Sequence, residues 1–373
     1  MRIGVMLRVF EEKGGIGVYA RNILPELLKI DQENQYFLFY NNPDHVGLFT
    51  KHKNVKEILI RGKNKAIWDQ VSVPAVCWRE KIDVVFHPKF TLPLLALCKT
   101  VMVVHGADWF MPDQSIYYPK HDVAYIRTVM PLYFRKAAAV ISVSQLTTDN
   151  FNQALNLPSN KIRTIYFAPA RHFKPVHSRD ILENVKQKYH LPEKFILTLT
   201  KRQGDKRKNL PQILKAYQQY HETSSDPHKL VIGGKDCYLY RQEYGIPEDG
   251  YGGDILFPGW IDQSDLPAVY TLAGLFLYPS NLEAFPIPIT EAMACGTPII
   301  TSDANGLREI AGDAALFVDP QNTHAISSAV QLILNDSDLS TGLSQKGLKR
   351  SALFTWDACA RKTLDLLTEV TSA

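Results

Sequence analysis

A chain of 373 residues is too long for one ordinary domain and fits two domains of about 170 to 190 residues each. Apolar residues make up 45% of it, and the net charge of +4 is weaker than a dedicated nucleic-acid-binding protein would carry. No apolar run is long enough to span a membrane, and the apolar start is too short for a signal peptide. The composition therefore indicates a cytoplasmic protein with two cores. Five widely spaced cysteines with mostly apolar neighbours are typical of reduced core thiols, namely Cys77, Cys98, Cys237, Cys295 and Cys359.

Short apolar runs alternate with longer amphipathic stretches, which predicts parallel sheets covered by helices. In the first half the predicted strands are 3–7, 36–40, 55–59, 84–86, 100–104 and 139–143. In the second half they are 195–200, 229–232, 255–257, 275–278, 298–301 and 315–317. Helical periodicity covers 18–30, 210–221, 265–272 and 323–334. The alternation stops in the Pro-rich segment 168–173, so we place the domain boundary there.

Ligands bind at the carboxyl ends of the strands in such sheets, so the loops there are the candidate sites. After the first strand come Gly14, Gly15 and Gly17, just before a predicted helix. Glycines at this place let the backbone approach a phosphate or a sugar. A simple turn accounts for them as well.

His105 and Asp108 follow the predicted strand 100–104. A histidine and an aspartate at a strand end can hydrogen-bond a polyol. A histidine that only caps the strand end is the alternative.

A basic run, K-R-Q-G-D-K-R-K from Lys201 to Lys208, lies between the predicted strand 195–200 and the helix 210–221. Such runs are usually solvated faces. This one occupies a ligand-facing position, where cations can stabilise the charge of a leaving diphosphate.

The most informative segment is 281–298, N-L-E-A-F-P-I-P-I-T-E-A-M-A-C-G-T-P. Pro286 and Pro288 exclude helix from its first half, so we expect a helix from about residue 289 to Gly296. Glu283 then lies on a loop and Glu291 in the first helical turn, close to free backbone amides. Amides hold anions and carboxylates hold sugar hydroxyls, which indicates a nucleotide-sugar site.

This segment resembles the signature of the retaining glycosyltransferases of family 4, also described as glycosyl transferases group 1. The similarity rests on Glu283, Ala284-Phe285, Glu291 and the run A-M-A-C-G-T-P. It implies an α/β fold of two Rossmann-like domains facing across a cleft (the GT-B architecture). The implied domains are 1–170 for the acceptor, 171–352 for the nucleotide sugar, and a C-terminal helix 353–373 that returns to the first domain.

The resemblance also implies roles for individual residues. Arg202 and Lys208 match a pair that neutralises the donor diphosphate. Glu291 would accept hydrogen bonds from the ribose hydroxyls. Glu283 would bind the donor sugar, and His105 would lie near that sugar. The catalytic set is Glu283, His105, Arg202 and Lys208. The donor-binding set is Gly14, Gly15, Arg202, Lys208, Phe257, Ala284, Phe285, Ile287 and Glu291, and the acceptor set is Asp108 and Trp109. Relatives often have glycine at Pro286, which has no amide to offer a sugar.

The expected activity is transfer of a hexose from a nucleoside diphosphate sugar, with UDP-glucose first, to an acceptor hydroxyl with retention and front-face attack. No D-x-D motif stands at a strand end, so neither a metal nor another cofactor is expected. The expected partners are the donor and a sugar or lipid-linked saccharide, with no nucleic acid; the basic residues Lys120, Arg127, Arg135 and Lys136 indicate peripheral association with the inner membrane face. A nucleotide-sugar epimerase or phosphorylase of the same shape, and a non-catalytic nucleotide-sugar-binding subunit, are the alternatives.

Overall fold

The protein is represented by a computed structural model that describes residues 1–12, 14–62, 64–158, 160–200, 206–247, 253–304 and 306–372. The chain divides into two compact units. Unit 1 comprises Met1–Phe167 together with Phe354–Ala373, and unit 2 comprises Ala168–Leu353. In the described part of the chain, no helix has both the length and the apolar character needed to cross a bilayer.

Unit 1 is built on a parallel sheet in the order β3-β2-β1-β4-β5-β6-β7. The strands are β1 Arg2–Met6, β2 Gln35–Tyr40, β3 Val55–Leu59, β4 Val84–His87, β5 Lys99–Val104, β6 Ala139–Ser142 and β7 Ile162–Thr164. The helices are α1 Gly15–Ile30, α2 Lys65–Ile67, α3 Val73–Arg79, α4 Pro112–Ser115, α5 Lys120–Lys136 and α6 Gln145–Leu155. A π-helical turn, Trp68–Ser72, joins α2 to α3. The sequence did not predict β7, because its three residues I-R-T show no apolar run.

Unit 2 repeats this topology with the order β10-β9-β8-β11-β12-β13. Its strands are β8 Phe195–Leu199, β9 Lys229–Gly233, β10 Ile255–Gly259, β11 Leu275–Tyr278, β12 Ile299–Ser302 and β13 Leu316–Val318. Its helices are α7 Arg179–Lys188, α8 Leu210–Thr223, α9 Tyr240–Glu243, α10 Leu266–Leu272, α11 Ile287–Cys295, α12 Gly306–Ala311, α13 Thr323–Asn335 and α14 Ser337–Ser351. Residues of α8, α13 and the central strands form one apolar cluster, which fixes these helices on the sheet.

The last helix, α15 (Trp356–Ser372), belongs to unit 1 and packs against α1. The indole of Trp356 stacks on Phe167 with the ring centroids 5.8 Å apart, and the ring of Tyr19 in α1 meets it edge-on. The expected fold class, two Rossmann-like units with the last helix returning to the first, is therefore confirmed.

The strand order reverses direction at one place in each sheet, between β1 and β4 in unit 1 and between β8 and β11 in unit 2. The connections that leave two such strands run to opposite sides, and this opens a crevice at their carboxyl ends. The residues that follow β1, β4, β8 and β11 are thereby placed at the positions where a sheet of this kind binds ligands.

Candidate functional site

The switch point of unit 2 brings together two loops that are distant in sequence. Lys208 ends a short 3-10 turn (Lys206–Lys208) after β8, and Glu283 follows β11. These strands are hydrogen-bonded neighbours, with Ile196 opposite Leu275. The sheet topology therefore places a cation and a carboxylate side by side.

The two side chains form a close ion pair with additional donors around it. The Lys208 ammonium lies 2.5 Å from Glu283 Oε1, and both side chains are only 14% exposed. The same carboxylate oxygen accepts from Tyr278 Oη at 2.8 Å and from Ser280 Oγ at 3.0 Å. Lys208 Nζ also donates to the Tyr278 hydroxyl and lies 4.7 Å from the centre of its ring. We call Lys208, Tyr278, Ser280 and Glu283 the ion-pair cluster.

Backbone contacts fix the loops that carry this cluster. The Asn281 amide donates to the carbonyl of Arg207 at 2.8 Å, and Ser280 Oγ lies 2.8 Å from the same carbonyl oxygen. The Gly306 amide donates to the Glu283 carbonyl at 3.0 Å, and a Cβ at Gly306 would lie 2.6 Å from the carbonyl oxygen of Ala284. Only glycine allows α12 to approach the Glu283 loop this closely, so the loop position depends on that residue.

Glu291 lies in a different environment. It is 6% exposed, and Tyr270 Oη donates to its Oε2 at 3.3 Å while lying 3.3 Å from the Pro288 carbonyl. Burial raises the pKa of Glu291 to about 8, with the Tyr270 hydrogen bond opposing the shift. The side chain is therefore mainly uncharged near neutral pH.

The expected start of this helix was wrong. The helix α11 begins at Ile287 rather than near residue 289, because proline is tolerated in the first helical turn and Pro288 occupies it. Glu291 consequently lies in the second turn. The amides at the expected helix start were predicted to be free, but those of Ile289 and Thr290 donate to the Pro286 carbonyl, at 3.1 and 3.3 Å.

The other residues predicted for donor binding have mixed placements. Ala284, Phe285 and Ile287 follow Glu283 in the sequence. Ala284 and Ile287 are half-buried, and Phe285 is buried. Phe257 lies inside the edge strand β10, which continues to Gly259, and its ring packs against the apolar core with the Arg241 guanidinium 5.2 Å above it. Arg202, predicted to pair with Lys208, lies outside the described residues, as does Lys201.

In unit 1 the Gly-rich segment is part of a helix rather than a loop. Gly14 is the N-cap of α1 and Gly15 its first residue. A Cβ at Gly17 would lie 1.7 Å from the Glu12 carbonyl oxygen, so the chain turns into the helix too tightly for any other residue. Glu12 pairs with Lys89, which follows β4, at 2.6 Å.

His105 follows β5 and is held inside unit 1. Its Nε2 lies 3.0 Å from the Pro88 carbonyl, which assigns the proton to this nitrogen, and its ring meets Tyr19 edge-on. Burial lowers the pKa of His105 to about 4. The imidazole is therefore neutral at physiological pH.

The two predicted acceptor residues lie in the following loop. Asp108 is buried and accepts from Tyr118 Oη at 2.7 Å. The ring of Trp109 packs against Phe90 and Tyr118, and its carbonyl accepts from Arg127 at 2.6 Å. Arg127, one of the cations attributed to a membrane surface, thus has a bond within unit 1.

Several polar residues at the carboxyl edges were missed by sequence reasoning. In unit 1, Arg8 follows β1 and makes a two-point ion pair with Asp69 of the π-turn, at 2.9 and 3.2 Å. His87 ends β4 and bonds the Thr91 carbonyl through Nδ1 at 2.6 Å. In unit 2 the missed residues are Tyr270, Tyr278 and Ser280. Tyr278 ends a strand at a switch point, which is the signal that could have identified it.

Among the described residues, no three His, Cys, Asp or Glu side chains are grouped as metal ligands.

Comparison with known proteins agrees with this architecture. Residues 182–350 match the family described as glycosyl transferases group 1. The O-antigen chain mannosyltransferase B of Escherichia coli is 30% identical over 297 residues, which cover 77% of this chain and 74% of that protein. Among solved structures, a sucrose-phosphate synthase from Thermosynechococcus elongatus has a TM-score of 0.77 at 20% identity, covering 100% of this chain and 99% of that one. Anabaena HepE, solved in complex with UDP and glucose, has a TM-score of 0.74 at 18% identity, covering 99% of both chains.

The fold and these matches define the class of the protein, which is a glycosyltransferase. The chain belongs to the family of glycosyl transferases group 1. The resemblance carried by segment 281–298 is thereby confirmed.

Proposed function

We propose that the protein transfers a hexose from a nucleoside diphosphate sugar to a saccharide hydroxyl with retention of configuration and without a metal ion. The observation that carries this proposal is the ion-pair cluster at the switch point of unit 2. It supplies a fixed positive charge, the Lys208 ammonium, at the place where a sheet of this topology binds nucleotides. A diphosphate that leaves during transfer gains negative charge, which this ammonium stabilises.

Glu283 has two roles in this proposal. Its Oε1 holds the Lys208 ammonium, and the carboxylate as a whole offers negative charge toward the positive charge that develops on the sugar. The carboxylate is already engaged by three donors on Oε1, so it is a weak nucleophile. This favours front-face attack, in which the departing phosphate takes the acceptor proton, over a covalent intermediate on Glu283.

The donor sugar is proposed from the relatives. The relative that is 30% identical is named a mannosyltransferase, which favours mannose, whereas the UDP-glucose expected from the sequence has support from HepE, a match at 18% identity. The name of the same relative favours an O-antigen saccharide as acceptor, and such acceptors carried on lipid would bring the protein to a membrane surface. We propose that acceptor binding belongs to unit 1.

The test is to incubate the purified protein with GDP-mannose or UDP-glucose, with and without acceptor saccharides, in the presence of excess EDTA. We expect acceptor-dependent release of nucleoside diphosphate, and an NMR coupling of the new anomeric proton that corresponds to retention of the α-configuration. An inverted product would refute the retaining mechanism. Formation of an epimerised donor in the absence of acceptor would favour the epimerase. Tight binding of a nucleotide sugar with no turnover of any tested donor would favour a regulatory subunit.

A further inference from the structure

Two cysteines of unit 1 lie together at the edge of the sheet opposite to the carboxyl-end loops. Cys77 lies in the last turns of α3, and Cys98 directly precedes β5. Cys98 packs on the apolar cluster that contains Cys77. Each thiol shifts the pKa of the other, which is consistent with this proximity. The pair therefore consists of two neighbouring cysteines, brought together from different elements of the fold.

The pair is accessible from solvent. Both cysteines line a surface cavity of about 540 Å³, together with Trp78, Lys81 and Leu97. Cys77 is buried, whereas Cys98 is only half-buried. A small polar reagent can therefore reach Cys98 more easily than Cys77.

The two thiols differ in acidity in a way that suits a reaction between them. The neighbouring Cys77 thiol lowers the pKa of Cys98, and the positive charge of Lys136 acts in the same direction, against burial and the charge of Asp83. The Lys136 ammonium donates to the Ala96 carbonyl at 2.5 Å. The pKa of Cys77 is raised by the neighbouring Cys98 thiol and by burial. A cysteine with thiolate character beside a second thiol is the arrangement of a peroxide-sensitive dithiol.

We propose that Cys77 and Cys98 form a reversible disulfide when the protein is exposed to hydrogen peroxide. The Cys98 thiolate attacks one peroxide oxygen, the O–O bond breaks, and the leaving hydroxide takes a proton to become water. The resulting sulfenic acid is attacked by the Cys77 sulfur, so that the S–S bond forms and the S–O bond breaks. The Cys77 proton leaves with the departing hydroxide as a second water. Two thiols are oxidised and one peroxide is reduced, and a dithiol reductant reverses the change.

The remaining cysteines provide internal references for this chemistry. Cys237, Cys295 and Cys359 are buried, and burial raises the pKa of each. They should resist peroxide under native conditions. The disulfide would link α3 to the start of β5, so the oxidised protein should also melt at a higher temperature than the reduced one.

The experiment treats the reduced, purified full-length protein with a small excess of hydrogen peroxide and alkylates it after unfolding. We expect the number of free thiols to fall from five to three, with a Cys77–Cys98 linked peptide in the non-reducing digest that disappears with dithiothreitol. C98S and C98A should both block the link, while the matched control C237S should form it at the wild-type rate. C77A cannot form the link, so this variant instead measures the effect of Cys77 on its neighbour: alkylation of Cys98 by iodoacetamide near neutral pH should slow several-fold.

Two results would overturn the proposal. One is oxidation of Cys98 to sulfinic acid with Cys77 left free, which would mean that the thiols cannot reach bonding geometry. The other is equal peroxide reactivity of Cys98 and Cys237, which would mean that neither the cavity nor the neighbouring Cys77 gives Cys98 special reactivity. Circular dichroism of each variant verifies that the fold is kept.

Discussion

Glu291 offers a direct test of the electrostatics of unit 2, because its carboxyl is buried and Tyr270 is the only side-chain donor to it among the described residues. The substitution Glu291→Gln keeps the shape of the side chain and cannot ionise. Folding raises the pKa of Glu291 from 4.5 to about 8, so the folded state favours the protonated form. The contribution of this protonation to the free energy of unfolding is fully present below about pH 4.5 and is lost as the pH rises through about 8.

The magnitude follows from the pKa difference. A shift of about 3.5 units corresponds to about 5 kcal/mol at 1.36 kcal/mol per unit, and most of this is lost between pH 5 and pH 8. This is an upper value, since water entering near the 6% exposed side chain would reduce it. In a unit of this size each kcal/mol shifts the melting temperature by roughly 2–4 °C. Between pH 5 and pH 8 the part that is lost is about 3.5 kcal/mol, so wild type should lose up to roughly 7–14 °C more than Glu291→Gln over this range.

The assay is differential scanning calorimetry of both proteins near pH 5 and pH 8. The unfolding transition of unit 2 is identified as the one that added nucleotide moves to a different temperature. Glu222→Gln, a substitution at an exposed glutamate on α8, is the matched control and should follow wild type. Equal pH dependence in wild type and Glu291→Gln would refute the reasoning, because it would mean that Glu291 is solvated and ionised in the folded protein.

The remaining predictions concern the ion-pair cluster, the histidine and the metal. Lys208→Ala should lower kcat/KM roughly 10²–10³-fold, the usual effect of removing one preorganised charge; a double-mutant cycle with Glu283→Gln should be strongly non-additive, and additive losses would contradict the ion pair. Tyr278→Phe removes a donor to Glu283 and an acceptor for Lys208, so kcat should fall about tenfold while the fold is retained; unchanged kcat would remove Tyr278 from the cluster. His105→Ala breaks the bond to the Pro88 carbonyl and the contact with Tyr19, so it should destabilise unit 1 by about 1–3 kcal/mol in urea unfolding and leave nucleotide affinity unchanged by calorimetry. Activity should persist in excess EDTA after dialysis, and a loss that magnesium or manganese restores would refute metal independence.

Most strands could be predicted from the sequence because parallel strands buried on both faces read as continuous apolar runs. Val55–Leu59 and Leu275–Tyr278 were predicted to the residue. The errors arose where local rules have exceptions. Proline usually excludes helix, yet Pro288 fits the first turn of α11, and glycine usually marks a loop, yet Gly15 opens α1.

The site was predictable only as far as the loops at strand ends could be recognised. Lys208 was found in a basic run that follows a strand, and Glu283 in segment 281–298; the resemblance assigned a role to each, and the topology brings the two together. Their pairing partners were not found, because Tyr278 belongs to the strand itself and reads as part of an apolar run. The state of Glu291 was equally hidden, since a pKa depends on burial and on the Tyr270 hydroxyl, which comes from another helix.

The contrast between the two glutamates follows from what surrounds each of them. Glu283 is close to an ammonium and two hydroxyl donors, so its negative charge is compensated before any substrate binds. Glu291 has one phenol donor and no cation among its described partners, so burial keeps it protonated near neutral pH. A ribose that donates two hydroxyls to Glu291 would have to compensate its ionisation, because hydrogen bonds to the charged form lower a pKa. Nucleotide binding at Glu291 would then release a proton, whereas binding beside Glu283 would only redistribute charge already present. Two carboxylates eight positions apart on one loop and helix can therefore differ in charge state.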